Sequence, residues 1–455
     1  MKIFIKKSKA YIGSLAVGIL FVIFAGIIFF LYSIDFSPLI LGVALVLYGR
    51  ILRKIEKFPS YIDLSLLAAF AILISLLVAV HSKISAYGIP AIGFAILVTL
   101  LFDNLEFSLL FALFISFLGG SIDGANFNLG VSLFMGSLVA ACISYRIRRR
   151  FQVIKAGILA GVVQFLIAFL MEREQSFFVL NNLDFNLFKI CISNGFISSI
   201  VVLGLLPIFE YIFKVVTNIS LLELSDFNHP LLRRLILEAP GTYQHSLVVA
   251  NLSEAAAETI NANSLLARVG AYYHDIGKML KPNYFVENLV TYRDVHKDLK
   301  PSMSKLIIVN HVKEGVELAK KHRLNPKIVD FVTQHHGRSL VYYFYQKAKE
   351  HEPGAEHEEE YRYPGPRPQS KETAIVLLAD TIEALSRTLD EPTPSRIEEM
   401  VRDVVKKRFM EGELDETNLT LKDLEKITQS FIRTLCAIFH TRINYPKEES
   451  REKSK

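Results

Sequence analysis

The chain has 455 residues, room for roughly two to four domains, and it is 51% hydrophobic with a mean hydropathy of +0.33. That is too apolar for an ordinary soluble protein and too polar for a pure membrane bundle, so the chain is expected to be split between the two. Its net charge of +6 is modest, and its three cysteines, Cys142, Cys191 and Cys436, lack a CxxC spacing, which excludes a disulfide framework or zinc ribbon.

Lys2, Lys6, Lys7 and Lys9 precede an apolar run at 10–32. The run is too long for a signal-peptide core and no small-x-small cleavage site follows, so it reads as an uncleaved first span with a cytoplasmic N-terminus. Further apolar stretches lie at about 34–50, 61–81, 88–102, 105–121, 129–145, 153–171 and 188–213. Several approach the length of about 20 residues that crosses a bilayer. This gives a transmembrane domain over 1–213 with six to eight spans. The lower number applies if 88–102 and 105–121, joined by Asp103-Asn104, form a re-entrant hairpin. Either number puts the basic groups Arg50, Arg53, Lys54, Lys57 and Arg146, Arg148, Arg149, Arg150, Lys155 on the side of the N-terminus. The second group therefore reads as a topological determinant rather than a nucleic-acid patch. The loop around Asp123 and Asn126 and the segment 172–189 fall outside. Asp35, Asp63 and Asp123 lie near predicted span ends and mark no ion pathway.

The character changes after Lys214. A connecting helix or linker is expected at 214–239, a cytoplasmic domain at 240–446 and a charged tail at 447–455. The cytoplasmic part reads as mostly helix, which makes the fold class all-α: a polytopic helical membrane domain followed by a helical domain. Asn325-Pro326 and Thr393-Pro394 pair an N-cap residue with a first-turn proline. Thr420 and Asp423 have capping-box spacing before an amphipathic run to about His440. Residues 350–369, rich in Glu, Pro and Gly, read as an exposed loop, with His351 and His357 solvated among glutamates.

The chemistry gathers around Tyr272-Tyr273-His274-Asp275-Ile276-Gly277-Lys278. An adjacent imidazole and carboxylate can ligate one cation and bridge to a second. Gly277 is expected to let the chain turn sharply after the pair. Lys278 brings a positive charge toward any anion held there. His245 follows Gly241-Thr242 near the start of a helical run, and His311 shares a helix face with Ile307, Ile308, Gly315 and Leu318. His335-His336 closes the helix begun at Pro326, and Asp380 closes the apolar run 374–379. Taken singly, each has an ordinary role as a cap or a satisfied core residue. Together they form H…HD…H…HH…D on successive helical segments. Seven such groups without a thiolate suit two first-row divalent metals with open positions.

That order resembles the HD-domain metal-dependent phosphohydrolases. The stretches LELSDFNHPLLRRLILEAPGTYQHS (222–246), ARVGAYYHDIGK (267–278), RYPGPRPQSKE (362–372) and the ending 438–446 are similar to one branch, the membrane-anchored seven-transmembrane HD family of the PgpH type. The resemblance runs from about Leu205 to Pro446. It implies hydrolysis of cyclic di-AMP to pApA at two divalent transition metals, iron or manganese. It assigns His245, His274, Asp275 and Asp380 to one metal and Asp275, His311, His335 and His336 to the other, with Asp275 bridging. For metal-assisted hydrolysis of a phosphodiester, Asp275 and Lys278 are the catalytic candidates, and the positive charges of Lys278, Arg338 and Arg387 make them candidates for holding phosphate. The resemblance places the chain in the bacterial cytoplasmic (inner) membrane with the catalytic domain in the cytoplasm. Its partners are then a cyclic dinucleotide and the lipid bilayer, with no nucleic-acid polymer expected and an oligomer left open. The cyclic-di-GMP branch carries Gly-Tyr-Pro after its His pair; here Gly337-Arg338-Ser339-Leu340 follow. Family members commonly carry a large extracytoplasmic domain after the first span. Only 33–37 separate the first two apolar runs, so that domain is expected to be missing. The competing readings are another HD-type nucleotide phosphohydrolase, a non-catalytic nucleotide-binding membrane receptor, and a transporter.

Overall fold

The computed structural model describes residues 61–81, 85–172, 185–289, 295–351 and 357–439, together with Ile40 and Gly42. The first predicted span, nearly all of the second, the basic group at 50–57, the segment 173–184 and the C-terminal stretch from 440 lie outside the described residues. The chain is all-α. Among the described residues no strand forms, only an isolated antiparallel bridge between Leu340 and Arg362. It divides into two compact units, Met1–Ser220 and Leu221–Lys455.

The first unit contains α1 (Tyr61–Leu76), α2 (Ala91–Phe102), α3 (Leu105–Ile122), α4 (Phe127–Ser144), α5 (Arg150–Glu172) and α6 (Phe185–Phe213). Each coincides with an apolar stretch seen in the sequence. Among the described residues, α3 to α6 are long and apolar enough to cross a membrane, and two apolar segments, Leu64–Ala79 and Ala86–Phe102, are shorter. Asn104 and Asn126 cap α3 and α4 by accepting from the amides of Phe107 and Leu129. The pair expected at 88–121 is unequal. At 1.5 Å per residue α2 is only about 18 Å long, against about 30 Å of hydrocarbon. Ala91 through Leu101 are all buried, so α2 is a core helix without a lipid-facing stripe. In contrast, α6 exposes Ile197, Ile200, Val201, Ile208 and Ile212 along one side. Non-helical backbone before α2 is satisfied by side-chain amides. Gln164 donates to the Tyr87 carbonyl at 2.9 Å, and Asn194 to those of Tyr87 and Ile89 at 3.1 and 3.0 Å. A membrane interior offers no water to do this. Helices α5 and α6 meet through glycine: a Cβ on Gly157 or Gly195 would overlap the other's carbonyl.

Helix α7 (Asn218–Leu224) leads into α8 (Pro230–Glu238), α9 (Pro240–Thr259), α10 (Ser264–Tyr273), α11 (Pro301–Lys321), α12 (Pro326–Gln334), α13 (Tyr342–His351), α14 (Lys371–Ser386), α15 (Pro394–Met410) and α16 (Leu421–Ile438). The caps read from sequence form as expected. Asn325 and Thr393 accept from first-turn amides with proline following, and Thr420 and Asp423 make a reciprocal capping box. Part of the expected connector belongs to the second unit's packing: the Tyr273 hydroxyl donates to the Leu224 carbonyl at 2.8 Å, and Phe227 packs on Tyr243 and Tyr272. The core joins α9, α10, α14, α15 and α16 around Val249, Leu252, Ile375, Leu378, Ile427 and Phe431.

Two expectations are corrected. The segment 350–369 is not simply an exposed loop. His351 ends α13, and Tyr361 and Tyr363 are buried, Tyr363 with its ring stacked 4.2 Å from that of His336. The glutamates dominate the composition, but the aromatic residues between them supply the packing. The chain does turn after the His-Asp pair, in the 3-10 turn Ile276–Leu280, but Gly277 there has no positive φ, so backbone freedom is not the reason for glycine. The reason is that a Cβ there would run into the His311 carbonyl and the Gly315 amide of α11. That close approach brings α11 against the His-Asp pair.

Candidate metal centre

Five local structures deliver the site. His245 sits in the second turn of α9, and His274 caps the C-terminus of α10 with Asp275 next. His311 lies in mid-α11, and His335 caps α12 with His336 following. Asp380 is within α14, which continues to Ser386 rather than ending with the apolar run.

The seven side chains converge as two overlapping groups. His245, His274, Asp275 and Asp380 form one; Asp275, His311, His335 and His336 form the other; within each, ligand atoms lie within 4.8 Å of one another. Asp275 Oδ2 faces His245 Nε2 at 3.6 Å and His274 Nε2 at 3.3 Å. Its Oδ1 faces His311 Nε2 at 3.3 Å and His335 Nε2 at 3.4 Å. Asp380 also straddles, with Oδ1 3.0 Å from His245 Nε2 and Oδ2 3.5 Å from His336 Nδ1. All are buried except His336, whose side chain is 22% exposed.

The imidazoles are aimed by their other nitrogen. Nδ1 of His274, His311 and His335 each donates to the carbonyl three residues back, Ala271, Ile308 and Val332, at 2.7, 2.5 and 3.1 Å. In the neutral ring, with Nδ1 carrying the proton, Nε2 is a lone pair pointing inward. His311 and His335 then present two Nε2 atoms to each other at 3.2 Å, a repulsive contact between lone pairs that a shared cation relieves. His245 Nε2, His274 Nε2 and both Asp275 oxygens are buried without a partner of hydrogen-bond geometry. Buried polar atoms are rarely left so, and here they all face one point. A set of imidazole nitrogens and carboxylate oxygens without thiolate fits divalent metal ions.

The electrostatics are uneven. Burial disfavours a charge on His274, but the Asp275 and Asp380 carboxylates outweigh it and push its pKa to about 10. Burial also opposes the charges of Asp275 and Asp380. Lys278 and His274 hold the first well below the usual carboxylate range, and His245 and His274 hold the second there. Burial pushes His335 down, and burial plus the neighbouring His335 push His336 further.

Lys278 Nζ lies 2.6 Å from Asp275 Oδ2 and 3.0 Å from Glu287 Oε1, with its side chain 13% exposed. Arg387 is directed at Glu383, with Nη2 2.5 Å from its Oε1. Both line a cavity of about 810 Å3 above the cluster, with His245, His336, Tyr363 and Asp380. Arg338 is not among the residues lining it: its guanidinium pairs with Glu359 and its amide donates to Glu413. Tyr342 and Tyr363 reach the cavity, whereas Tyr273 is fully buried against Leu224. Sequence reasoning missed Glu383, which meets His245 Nδ1 at 2.5 Å, and Glu287, which holds Lys278. The spacing of Asp380, Glu383 and Arg387 on one helix face was a usable signal for the first. Glu287, in a short turn, left none.

These features, a His-Asp pair with five distant partners on a helical scaffold, define an HD-domain protein. Residues 242–385 match the HD domain family, and residues 36–217 match the family described as 7TM receptor with intracellular HD hydrolase. Residues 242–385 thus carry an HD domain, and the preceding region is similar to the membrane part of that family. It is 36% identical over 408 residues to the cyclic-di-AMP phosphodiesterase PgpH of Bacillus subtilis (strain 168), covering 87% of this chain and 57% of that protein. It is 41% identical over 301 residues to that of Listeria monocytogenes serotype 1/2a (strain 10403S), covering 66% and 42%. The chain thus spans about half the length of these curated relatives. A crystal structure of the L. monocytogenes PgpH HD domain in complex with cyclic-di-AMP is 47% identical, covers 48% of this chain and all of that one, and aligns with a TM-score of 0.45.

Proposed function

We propose that this chain is a membrane-anchored phosphodiesterase that hydrolyses cyclic di-AMP to pApA at a dinuclear centre of iron or manganese. The reading is carried by one observation: six buried side chains and the partly exposed His336 converge as two groups around the two oxygens of Asp275, beside a cavity of ligand size. His245, His274, Asp275 and Asp380 hold one cation, and Asp275, His311, His335 and His336 the other. Two such cations, held there, would supply activation of water at neutral pH and charge neutralisation of the phosphate. The chain's own groups do the positioning. Asp275 fixes the spacing of the two groups. Lys278, kept protonated because Asp275 and Glu287 outweigh its burial, adds a positive charge at the cavity floor for a phosphate oxygen. Tyr363, stacked on His336, and Tyr342 at the rim offer ring faces to a base. Adenine preference rests on the similarity to the PgpH proteins.

The HD domain and the basic group at 146–150 lie on the cytoplasmic side of a bacterial cytoplasmic membrane, the side that positive charge selects. Reporter fusions at Arg150 and Lys455 should both report cytoplasm; a periplasmic signal at Lys455 overturns this placement. The activity test uses the full chain in detergent with iron or manganese. It should convert cyclic di-AMP to pApA faster than it cleaves cyclic di-GMP. Equal rates remove the adenine assignment. No turnover of either, with two metals bound, favours another HD-type nucleotide phosphohydrolase or a nucleotide-binding receptor.

A further inference from the structure

Three of the imidazoles are aimed by a carbonyl of their own helix, whereas His245 is aimed by another helix. Its Nδ1 meets Glu383 Oε2 at 2.5 Å, and Glu383, 3% exposed, receives Arg387 Nε at 2.6 Å and Nη2 at 2.5 Å on its other oxygen. Asp380 lies three residues before Glu383 on α14 and faces the opposite edge of the same ring, 3.0 Å from Nε2. Helix α14 therefore grips His245 at both nitrogens, with one acid directed to the metal cluster and the other away from it.

We propose that Glu383, locked by Arg387, is a positioning residue that sets the tautomer and aim of His245 for the metal centre. The inference rests on the dinuclear reading above. A carboxylate is acceptor-only, so it holds the Nδ1 proton and leaves Nε2 as the ligating lone pair. It also makes the ring a stronger donor than a carbonyl acceptor does. Arg387 determines which way this works. It has only donors, so whatever group sits at 383 must turn an oxygen toward it. Glutamate has two oxygens and serves both neighbours. A glutamine at 383 has one. Its carbonyl must face Arg387, its NH2 then faces His245 Nδ1, and the ring is driven to the tautomer with Nε2 protonated, which cannot bind metal. Removing Arg387 frees the amide to flip and accept from Nδ1 again.

The test titrates cobalt(II) into the metal-free full chain in detergent, reading cobalt per chain and the intensity of its visible bands, which report coordination number. Wild type should take up two ions. Glu383→Gln should bind one of them about 10–100-fold more weakly, with a changed spectrum for that ion alone. Glu383→Gln/Arg387→Ala should recover most of the lost affinity. A folding defect does not predict recovery when a second side chain is deleted. A wild-type isotherm and spectrum in Glu383→Gln, or a double variant no better than the single one, overturns the proposal. A wild type that takes up fewer than two ions overturns the dinuclear reading itself.

Discussion

The two units bury polar atoms differently. In the first, among the described residues, the buried groups without a hydrogen-bond partner include the hydroxyls of Ser65, Ser75, Ser116, Ser137 and Ser144, dispersed over several helices. Its amides serve the backbone, as Gln164 and Asn194 do for the break before α2. The second unit also has scattered groups of this kind, such as the Ser246 and Ser253 hydroxyls and His229 Nδ1, but His245 Nε2, His274 Nε2 and the two Asp275 oxygens meet at one place. Isolated unpaired hydroxyls each cost about 1–3 kcal/mol and point to no common ligand. Convergent unpaired ligands are kept because something from outside the chain completes them. Convergence, more than number, marks the site.

The largest expected effect breaks that convergence at its shared member. Asp275→Ala should lose both metals, measured as metal per chain, and lower turnover by more than the about 10²–10³-fold that one stabilising donor is worth. An equivalent deletion in the first unit, Ser137→Ala, should leave metal content unchanged. Near-wild-type occupancy in Asp275→Ala removes the bridging role.

Acid should separate the units next. A cation must displace the proton on His274, whose metal-free pKa is about 10, so affinity at that group should fall about tenfold per pH unit on acidification. In the metal-free state, stability from His274 is complete below its ordinary value of 6.5 and is lost as pH rises through about 10. That from Asp275 and Asp380 is present above their ordinary 3.8 and lost as pH falls. Metal loading should therefore protect the second unit's melting temperature most on the alkaline side. A metal isotherm independent of pH between about 6 and 9 contradicts this.

Glycine sharpens the comparison because both units use it for close approach. Gly277→Ala and Gly195→Ala each place a Cβ on a facing backbone carbonyl, and each should destabilise its own unit by about 1–3 kcal/mol. Only Gly277→Ala should also weaken metal binding, since it pushes α11 and His311 away from Asp275. Thermal unfolding in detergent with metal titration distinguishes them. The smallest effect is Thr420→Ala, which removes the α16 capping box far from the cluster. It should cost about 1 kcal/mol and leave metal affinity unchanged.

Much of this architecture was legible because it is written in local pattern. Apolar runs of helix length gave α1 to α6, and Asn325, Thr393 and Thr420 announced helix starts through bonds made within one turn. The seven candidate ligands that the structure brings together were legible through residue type and order, since few other roles ask for His-Asp followed by His, His-His and Asp. The family resemblance, rather than the spacing, divided them between two metals. What stayed hidden depends on contacts between distant segments. Gly277 looked like a turn and is a clearance for α11. Residues 350–369 looked like an exposed loop, and Tyr363 within them lines the cavity. Arg387 looked like a free phosphate-holding cation and is directed at Glu383.

The sequence by itself determined that a helical membrane region precedes a helical domain carrying seven metal-type ligands, because hydropathy, capping and ligand chemistry are properties of single residues and their near neighbours. Only the tertiary structure decided which oxygen of Asp275 faces which group, that Asp380 reaches toward both, and that α14 grips His245 from both edges. Those facts depend on where α9, α10, α11, α12 and α14 cross. Those crossings are fixed by packing at close-approach points such as Gly277 and Gly270, which no local pattern encodes.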